Sequence, residues 1–143
     1  MPRYRTVIPS NWSTERAFAY MSDFSNAQEW DPGVLEAHRL GAGPIGVGTE
    51  FDLTVKFAGQ RLVLRYRVRD FEQNRRIVFE ALTKSLRSVD ALIFTPRSGG
   101  CEMTYDADLR FTGVATVANP PLAMVFRRVG NRARDSLREL LGR

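Results

Sequence analysis

Residues 119–143 read NPPLAMVFRRVGNRARDSLRELLGR, and this stretch decides the fold. An asparagine followed by two prolines suits the start of a helix, because Asn caps a first turn and the fixed φ of proline fits it. Apolar residues then recur at helical spacing, at Leu122, Val125, Phe126, Val129, Ala133, Leu137, Leu140 and Leu141. The opposite face is rich in arginine, so the pattern predicts a long amphipathic helix whose apolar face packs against another element.

The packing partner of this helix is predicted between Val34 and Phe111, where strand-like segments follow one another without interruption. The clearest segment is 101–111, in which apolar and polar side chains alternate with period two. An earlier strand is predicted at 3–8, and two short helices are expected at 14–21 and after Asp23. The predicted order is one strand, two short helices, six strands in a meander and a long helix, an α+β arrangement.

The composition fits a single domain, because the chain has 143 residues of which 43% are hydrophobic. The one cysteine, Cys101, excludes an internal disulfide bond. No apolar run approaches the roughly 20 residues that cross a bilayer, and the first residues lack the apolar stretch of a secretory signal. We therefore expect a cytoplasmic protein that does not insert into a membrane.

The formal charge of +5 and the pI of about 10.0 raise the question of a polyanionic partner. The arginines are spread along the chain, and those of one predicted strand, at 61, 65, 67 and 69, face outward. Glu50, Asp52 and Glu80 on adjacent strands are placed to pair with them across the sheet. This pattern favours a solvated face, and no nucleic-acid partner is expected. Binding of acidic partners by the arginine face of the last helix remains an alternative.

A glycine-rich segment at 41–46 matches G-x-G-x-x-G, the pattern of a dinucleotide-binding loop. In such a loop the glycines open a helix, whereas residues 49–57 here alternate with period two and predict a strand. Pro44 also lacks the amide hydrogen that would bind a phosphate. The segment is therefore predicted to be a turn.

Small residues, Gly130 and Ala133, lie at or beside the apolar stripe of the last helix. A glycine inside a helix costs roughly 1 kcal/mol relative to alanine, so a specific reason for it is expected. Small side chains either leave room for a ligand or allow close packing of helix and sheet, and the sequence leaves both explanations open.

The order of elements and its landmarks resemble the helix-grip fold of the START-like or SRPBCC superfamily, in particular its polyketide cyclase/dehydrase-like branch. The landmarks, spread over nearly the whole chain, are Ile8-Pro9, 18–23, Trp30-Asp31-Pro32, Gly43-Pro44, 47–51, Phe94-Thr95-Pro96, Gly99-Gly100, a turn at Gly113 and Pro120-Pro121. The resemblance implies a seven-stranded curved antiparallel sheet wrapped around the long C-terminal helix, with two short helices between strands one and two. It also implies a deep apolar cavity between sheet and helix, but no particular reaction.

Side chains of inward parity should line such a cavity. Those on the strands are Phe51, Leu53, Val55, Leu64, Tyr66, Val68, Phe79, Leu92, Tyr105, Ala107 and Leu109. The helix would close it with Phe126, Val129, Gly130 and Ala133, and Trp30 is expected at its mouth or as a packing anchor. A surface of this kind suits a hydrophobic, polycyclic or polyketide-like small molecule.

Three polar residues are candidates for chemistry in the cavity. Asp90 shares the inward face of its strand with Leu92, and burial would raise its pKa and make it a possible base. Tyr66 and Tyr105 would donate hydrogen bonds to a developing enolate in a cyclase, aromatase or dehydratase. The alternative is that Asp90 pairs with an arginine and the tyrosines bond within the core. A one-residue error in register would reverse these orientations.

No cofactor and no metal site are predicted, because the chain has no cluster of histidine and cysteine. His38 is the only histidine and is expected at the surface. Cys101 is expected to be a small core residue. The leading hypothesis is a protein that binds a hydrophobic small molecule, and the alternative is an enzyme that uses the cavity aspartate and tyrosines.

Overall fold

The computed structural model describes residues 3–57, 59–112 and 119–143, without the side chains of residues 57 and 119–123. The predicted turns at Ala58 and Gly113 and the capping role of Asn119 lie outside the described part. The elements, in order, are β1 (Arg3–Ser10), α1 (Thr14–Ser22), a 3-10 turn (Phe24–Asn26), α2 (Ala27–Trp30), β2 (Val34–Leu40), β3 (Glu50–Phe57), β4 (Gln60–Glu72), β5 (Arg76–Leu82), β6 (Leu86–Arg97), β7 (Gly100–Phe111) and α3 (Asn119–Leu141). The predicted order of elements is confirmed.

The seven strands form one antiparallel sheet in the order β1-β7-β6-β5-β4-β3-β2. The strands β2 to β7 form a meander, and β1 returns to pair with β7. Register shifts between Val34 and Glu36 and between Val68 and Asp70 mark irregularities of the kind that bend a strand. The curved sheet places α3 and the short helices over its concave face, as in the helix-grip fold.

Two strands are longer than the sequence predicts, since its polar segments indicate a turn from Asp70 to Arg75 and an end of the sixth strand near Thr95. β4 instead continues through Asp70 to Glu72, because pairing with β5 resumes after the register shift. β6 continues through Pro96 to Arg97. Proline is tolerated there because β5 pairs with β6 only as far as Ile93, so Pro96 has a neighbouring strand on one side only.

Caps define the short helices before β2. The Ser13 hydroxyl accepts a hydrogen bond from the Arg16 amide at 3.1 Å and so starts α1. The Asp23 carboxylate accepts one from the Ser25 amide at 3.1 Å and starts the 3-10 turn. These caps aim Phe18 and Phe24 at the sheet, where both are buried.

The outer face of the sheet carries paired charges. Arg65 bonds Asp52 at 2.8 Å, and Glu80 lies 2.8 Å from Arg87 and 3.7 Å from Arg69. These pairs include two of the three acids named from the sequence. The solvated-face interpretation of the arginines is supported, and such exposed pairs each contribute little to stability.

The glycine-rich segment forms a loop between β2 and β3 and opens no helix. Gly41, Gly43 and Gly48 have φ values of 80°, 92° and 93°, which residues with a Cβ rarely adopt. The Gly46 amide donates to the Thr49 hydroxyl at 3.0 Å. The prediction of a turn is confirmed, and the dinucleotide-loop pattern has no structural counterpart here.

The helix α3 is held most firmly at its C-terminal end. Leu137 and Leu141 are 1% and 0% exposed. The Leu141 carbonyl accepts hydrogen bonds from the Ser10 hydroxyl at 2.8 Å and from the Asn11 amide at 3.1 Å. At Phe126 and Val129, which are only partly buried, the helix packs less closely than at its last turn. No helix in the described part of the chain is long and apolar enough to cross a membrane.

Candidate functional site

A cavity of about 100 Å³ lies between the concave face of the sheet and α3. This is several times the roughly 10–15 Å³ that one water molecule needs. Most of its wall is apolar, formed by Val55, Leu62, Leu64, Leu86, Ala107, Leu109, Phe111, Phe126, Val129, Ala133 and Leu137. The polar wall groups come from Tyr4, Thr6, Asp31, Lys56, Tyr66, Ser88, Asp90, Tyr105 and Arg134. A mainly apolar wall with a few polar groups is typical of small-molecule sites.

Many of the residues predicted to line a cavity are found in this wall. They are Val55, Leu64, Tyr66, Asp90, Tyr105, Ala107, Leu109, Phe126, Val129, Gly130 and Ala133. Along β6 the even-numbered residues from Leu86 to Phe94 are buried, and along β7 the odd-numbered residues from Cys101 to Leu109 are buried. These positions face the concave side of the sheet, as the period-two pattern predicts. Contact of these residues with a ligand stays a prediction.

Six other predicted lining residues, which are Trp30, Phe51, Leu53, Val68, Phe79 and Leu92, lie in the packed core and do not line this cavity. The 3-10 turn and α2 cover this part of the sheet. Phe24 stacks on Phe79 at 4.1 Å between ring centroids and meets Phe51 edge to face at 6.3 Å. Trp30 packs edge to face on Tyr105 at 5.8 Å, so it is a packing anchor in this structure. The five strand residues of this set are buried as predicted, and the Phe24 ring occupies the space in front of Phe51 and Phe79.

Gly130 lies where α3 crosses β1. A Cβ built on Gly130 would stand 2.6 Å from the Tyr4 ring, so only glycine allows the ring to lie against the helix. The Tyr4 hydroxyl donates to Asn131 Oδ1 at 2.8 Å and fixes the ring there. Close packing therefore accounts for Gly130, although Gly130 and Ala133 also border the cavity.

A polar group of four buried residues forms one part of the cavity wall. The Tyr105 hydroxyl donates to Asp90 Oδ2 at 3.0 Å. The Tyr66 and Ser88 hydroxyls share a hydrogen bond of 2.8 Å. Asp90 is 7% exposed, and its partner is a phenol rather than the arginine that the alternative interpretation required. Both pairs, Tyr105 with Asp90 and Tyr66 with Ser88, agree with the prediction that the tyrosines form hydrogen bonds within the core.

Two carboxyl groups in the wall have raised pKa values. Burial raises the pKa of Asp90 to about 7, the Tyr105 hydrogen bond opposes this rise, and the charge of Asp31 adds to it. Burial likewise raises the pKa of Asp31 to about 6, against the hydrogen bond from the Gly33 amide at 2.9 Å. A pKa near neutral pH is what general base catalysis requires.

The two cavity phenols stay protonated at neutral pH. Burial raises the pKa of Tyr66 and of Tyr105 above the ordinary value, and the nearby charge of Asp90 raises both further. Both can act as hydrogen-bond donors, but the Tyr105 hydroxyl already donates to Asp90. This differs from the expectation that both phenols serve a ligand.

Asp31 is a site residue that sequence reasoning did not assign to chemistry. It ends α2, and its carboxylate accepts from the amide of Gly33 two residues later, which is a turn typical of Asp. The sequence therefore accounts for Asp31 as a turn residue. Nothing in the linear pattern indicates that this turn folds over the sheet opposite β6.

Metal-ligating residues do not converge in the described part of the chain, where no three of His, Cys, Asp and Glu are placed to hold an ion. The His38 side chain is 69% exposed, and its nearest acid is Glu36 at 4.0 Å. Cys101 is buried, and burial raises the pKa of its thiol. Neither residue reaches the cavity wall.

Solved structures with the same fold include a START superfamily protein from Mycobacterium smegmatis, with a TM-score of 0.76 and 16% identity over 97% of this chain and 94% of that one. The Zhui aromatase/cyclase from a Streptomyces species has a TM-score of 0.74 and 14% identity over 97% and 92%. The di-domain aromatase/cyclase StfQ of the steffimycin pathway has a TM-score of 0.63 and 19% identity over 98% and 45%. At these identities the likeness shows the fold alone.

Comparison with curated protein sequences finds no match. A sequence model of one family, described as polyketide cyclase / dehydrase and lipid transport, matches residues 1–142. That match covers the β1 edge, the whole meander and α3, the elements that enclose the cavity. The chain therefore belongs to the polyketide cyclase / dehydrase and lipid transport family.

Proposed function

We propose that this protein binds a hydrophobic, polycyclic or polyketide-like small molecule in the cavity between the sheet and α3. The observation that carries the proposal is the wall itself, in which apolar side chains of β3, β4, β6, β7 and α3 surround a small polar group. Burial of apolar ligand surface there would supply the affinity, at about 25 cal/mol per Å². The polar group would orient the ligand.

The test of binding is a variant that fills the cavity. Ala107 borders the cavity and is 8% exposed, so Ala107→Phe should occupy the space that a ligand needs. The affinity for Nile red, an apolar fluorescent dye, is expected to fall about tenfold or more. Val63→Phe is the matched control. Val63 is 65% exposed on β4, so this substitution adds the same ring outside the cavity.

Circular dichroism and thermal unfolding of both variants should show that the fold is intact. Unchanged Nile red affinity in a folded Ala107→Phe variant would contradict binding in this cavity. Native mass spectrometry of protein purified from its own host addresses the ligand itself, since a mass that co-purifies with the wild type and is absent from Ala107→Phe identifies the natural ligand class.

A second candidate function is catalysis of a cyclisation or dehydration, and the Asp90–Tyr105 hydrogen bond favours it. In the first step Asp90 would remove a proton from a carbon next to a ketone, and the electron pair of that bond would move to the ketone oxygen as an enolate. Tyr66 would donate a hydrogen bond to this oxygen. Tyr105, which donates to the carboxylate, would act as a positioning residue for Asp90.

This step is measurable without the natural substrate. α-Tetralone, a bicyclic ketone, exchanges its acidic carbon-bound hydrogens in D₂O, and proton NMR follows the loss of signal. The wild type is expected to accelerate exchange, with a rate that rises as Asp90 ionises near pH 7. Asp90→Asn should abolish the acceleration, and Asp52→Asn on the outer face should retain it. Equal rates with Asp90→Asn and wild type would remove Asp90 from the mechanism.

A further inference from the structure

We infer that the cavity selects a compact apolar ligand whose buried end carries a hydrogen-bond donor, either a hydroxyl or a protonated amine, and rejects one whose buried end is a carboxylate. The inference rests on the proposed function and narrows its ligand class. It begins from the charged groups of the cavity wall, in which Asp90 is buried, Asp31 and Arg134 are half-buried and Lys56 is exposed.

The wall contains two carboxyl groups from different elements, the half-buried Asp31 after α2 and the buried Asp90 on β6. Their protein partners are neutral, the Gly33 amide and the Tyr105 hydroxyl. Within the described part of the chain, no arginine, lysine or histidine forms an ion pair with either carboxylate. The site therefore offers negative charge without a protein cation to balance it.

The carboxyl groups also have the capacity to accept from a ligand. An ionised carboxyl group has about four acceptor positions, and the Tyr105 hydroxyl occupies one of those of Asp90. The other cavity groups near Asp90, Tyr66 and Ser88, share one hydrogen bond of 2.8 Å, which uses one of their two hydroxyl hydrogens. A ligand donor placed at Asp90 would make a charge-assisted hydrogen bond in a region shielded from water, which strengthens it.

A carboxylate at the same place would meet like charge at low dielectric and would lose its own hydration. The raised pKa values of Asp31 and Asp90 have the same cause, because desolvation at this site disfavours the ionised form of a carboxyl group. The Tyr4 and Tyr105 hydroxyls also line this cavity, but they already donate to Asn131 and Asp90. The cationic wall residues are Lys56, which is exposed, and Arg134, whose Nε bonds Asp135 at 3.0 Å.

The test uses three naphthalene probes that differ only in the polar group at position 2. They are 2-naphthalenemethanol, 2-(aminomethyl)naphthalene as its ammonium ion, and 2-naphthoate, each titrated calorimetrically at pH 8. The alcohol and the ammonium ion are expected to bind at least about tenfold more tightly than the naphthoate. Naphthoate binding as tightly as either of the others overturns the inference and leaves the proposed function standing. Failure of all three probes to bind overturns both.

Variants assign the selectivity to the buried carboxyl groups. Asp90→Asn should reduce the ratio of ammonium to naphthoate affinity at least about fivefold, and Asp31→Asn should reduce it in the same direction. Asp52→Asn removes one negative charge from the outer face and should leave the ratio unchanged. Retained binding of the neutral alcohol shows that the variants fold. A wild-type ratio in both cavity variants, or the same reduction in Asp52→Asn, would overturn the inference.

Discussion

Asp90 shows how a single residue takes its properties from surroundings contributed by distant parts of the chain. Its own strand, β6, turns it toward the cavity, β7 supplies the Tyr105 hydroxyl, and the turn after α2 supplies the second carboxyl group, Asp31. Burial then raises its pKa to about 7. A carboxyl group in this setting destabilises the folded protein when it ionises, and that cost is measurable.

We predict that Asp90→Asn changes the pH dependence of stability. The pKa of Asp90 rises from 3.8 unfolded to about 7 folded, so well below pH 3.8 both states are protonated and nothing is lost. Between pH 3.8 and about 7 only the unfolded state ionises. Over that interval the free energy of unfolding of the wild type falls by about 1.4 kcal/mol per pH unit relative to the variant. Urea unfolding at pH 4 and pH 8 measures the difference.

The control for this prediction is Asp52→Asn. The hydrogen bond from Arg65 lowers the pKa of Asp52, so its contribution is present above the unfolded pKa and is lost as pH falls. The two variants should therefore change the pH profile in opposite directions. A stability difference between wild type and Asp90→Asn that stays constant from pH 4 to pH 8 would contradict the raised pKa.

Gly130 is the second residue whose role is set by a distant contact. Alanine normally stabilises a helix interior by about 1 kcal/mol over glycine, but here its Cβ would lie 2.6 Å from the Tyr4 ring. We predict that Gly130→Ala destabilises the protein by about 1–3 kcal/mol in urea unfolding. In a Tyr4→Ala background the same substitution should stabilise it. Stabilisation in both backgrounds would show that the ring is not held against the helix.

At the scale of elements, α3 is packed more firmly at its last turn than at Phe126 and Val129. Its last turn is bonded to Ser10 and Asn11 through the Leu141 carbonyl, whereas Phe126 and Val129 in its first half are only partly buried. The short helices before β2 complete the core with Phe18, Phe24 and Trp30. The space that these elements leave under α3, between Phe126 and Leu137, is the cavity.

We predict that the packed end of α3 carries most of its contribution to stability. Leu141 is 0% exposed and does not border the cavity, so Leu141→Ala should cost about 2–5 kcal/mol. Met124 in the same helix is 68% exposed, and Met124→Ala should stay within about 0.5 kcal/mol of wild type. Urea unfolding of the pair measures both values. Equal costs would contradict the asymmetry of the helix.

At the scale of the whole molecule, the charge of +5 is distributed rather than concentrated. Arg65, Arg69 and Arg87 are paired with acids on the sheet, and Arg143 on the helix end pairs with Glu139 at 3.2 Å. Counterion release from a polyanion needs several cations that contact it together. The arrangement favours solubilising pairs over a polyanion-binding surface.

We predict that the protein does not bind polyuridylic acid in fluorescence anisotropy at about 150 mM salt, where non-specific electrostatic binding is weak. Any binding of polyuridylic acid at about 20 mM salt should weaken steeply as the salt concentration is raised. Persistent binding at about 150 mM salt, and its loss in Arg127→Gln with Arg128→Gln on the exposed face of α3, would instead support the alternative of a regulatory protein that binds acidic partners.

The sequence by itself determined the order of the elements, the strand parity and the amphipathic face of α3, because these follow from local periodicity and turn chemistry. It placed Asp90 and Tyr105 on the concave face for that reason. Only the tertiary structure decided which inward residues border the cavity, since Phe24 covers Phe51 and Phe79 while Leu64 and Ala107 border the open space. It also decided that Asp31 joins Asp90 and that Gly130 receives Tyr4, because such contacts depend on how separate elements pack and leave no period in the chain.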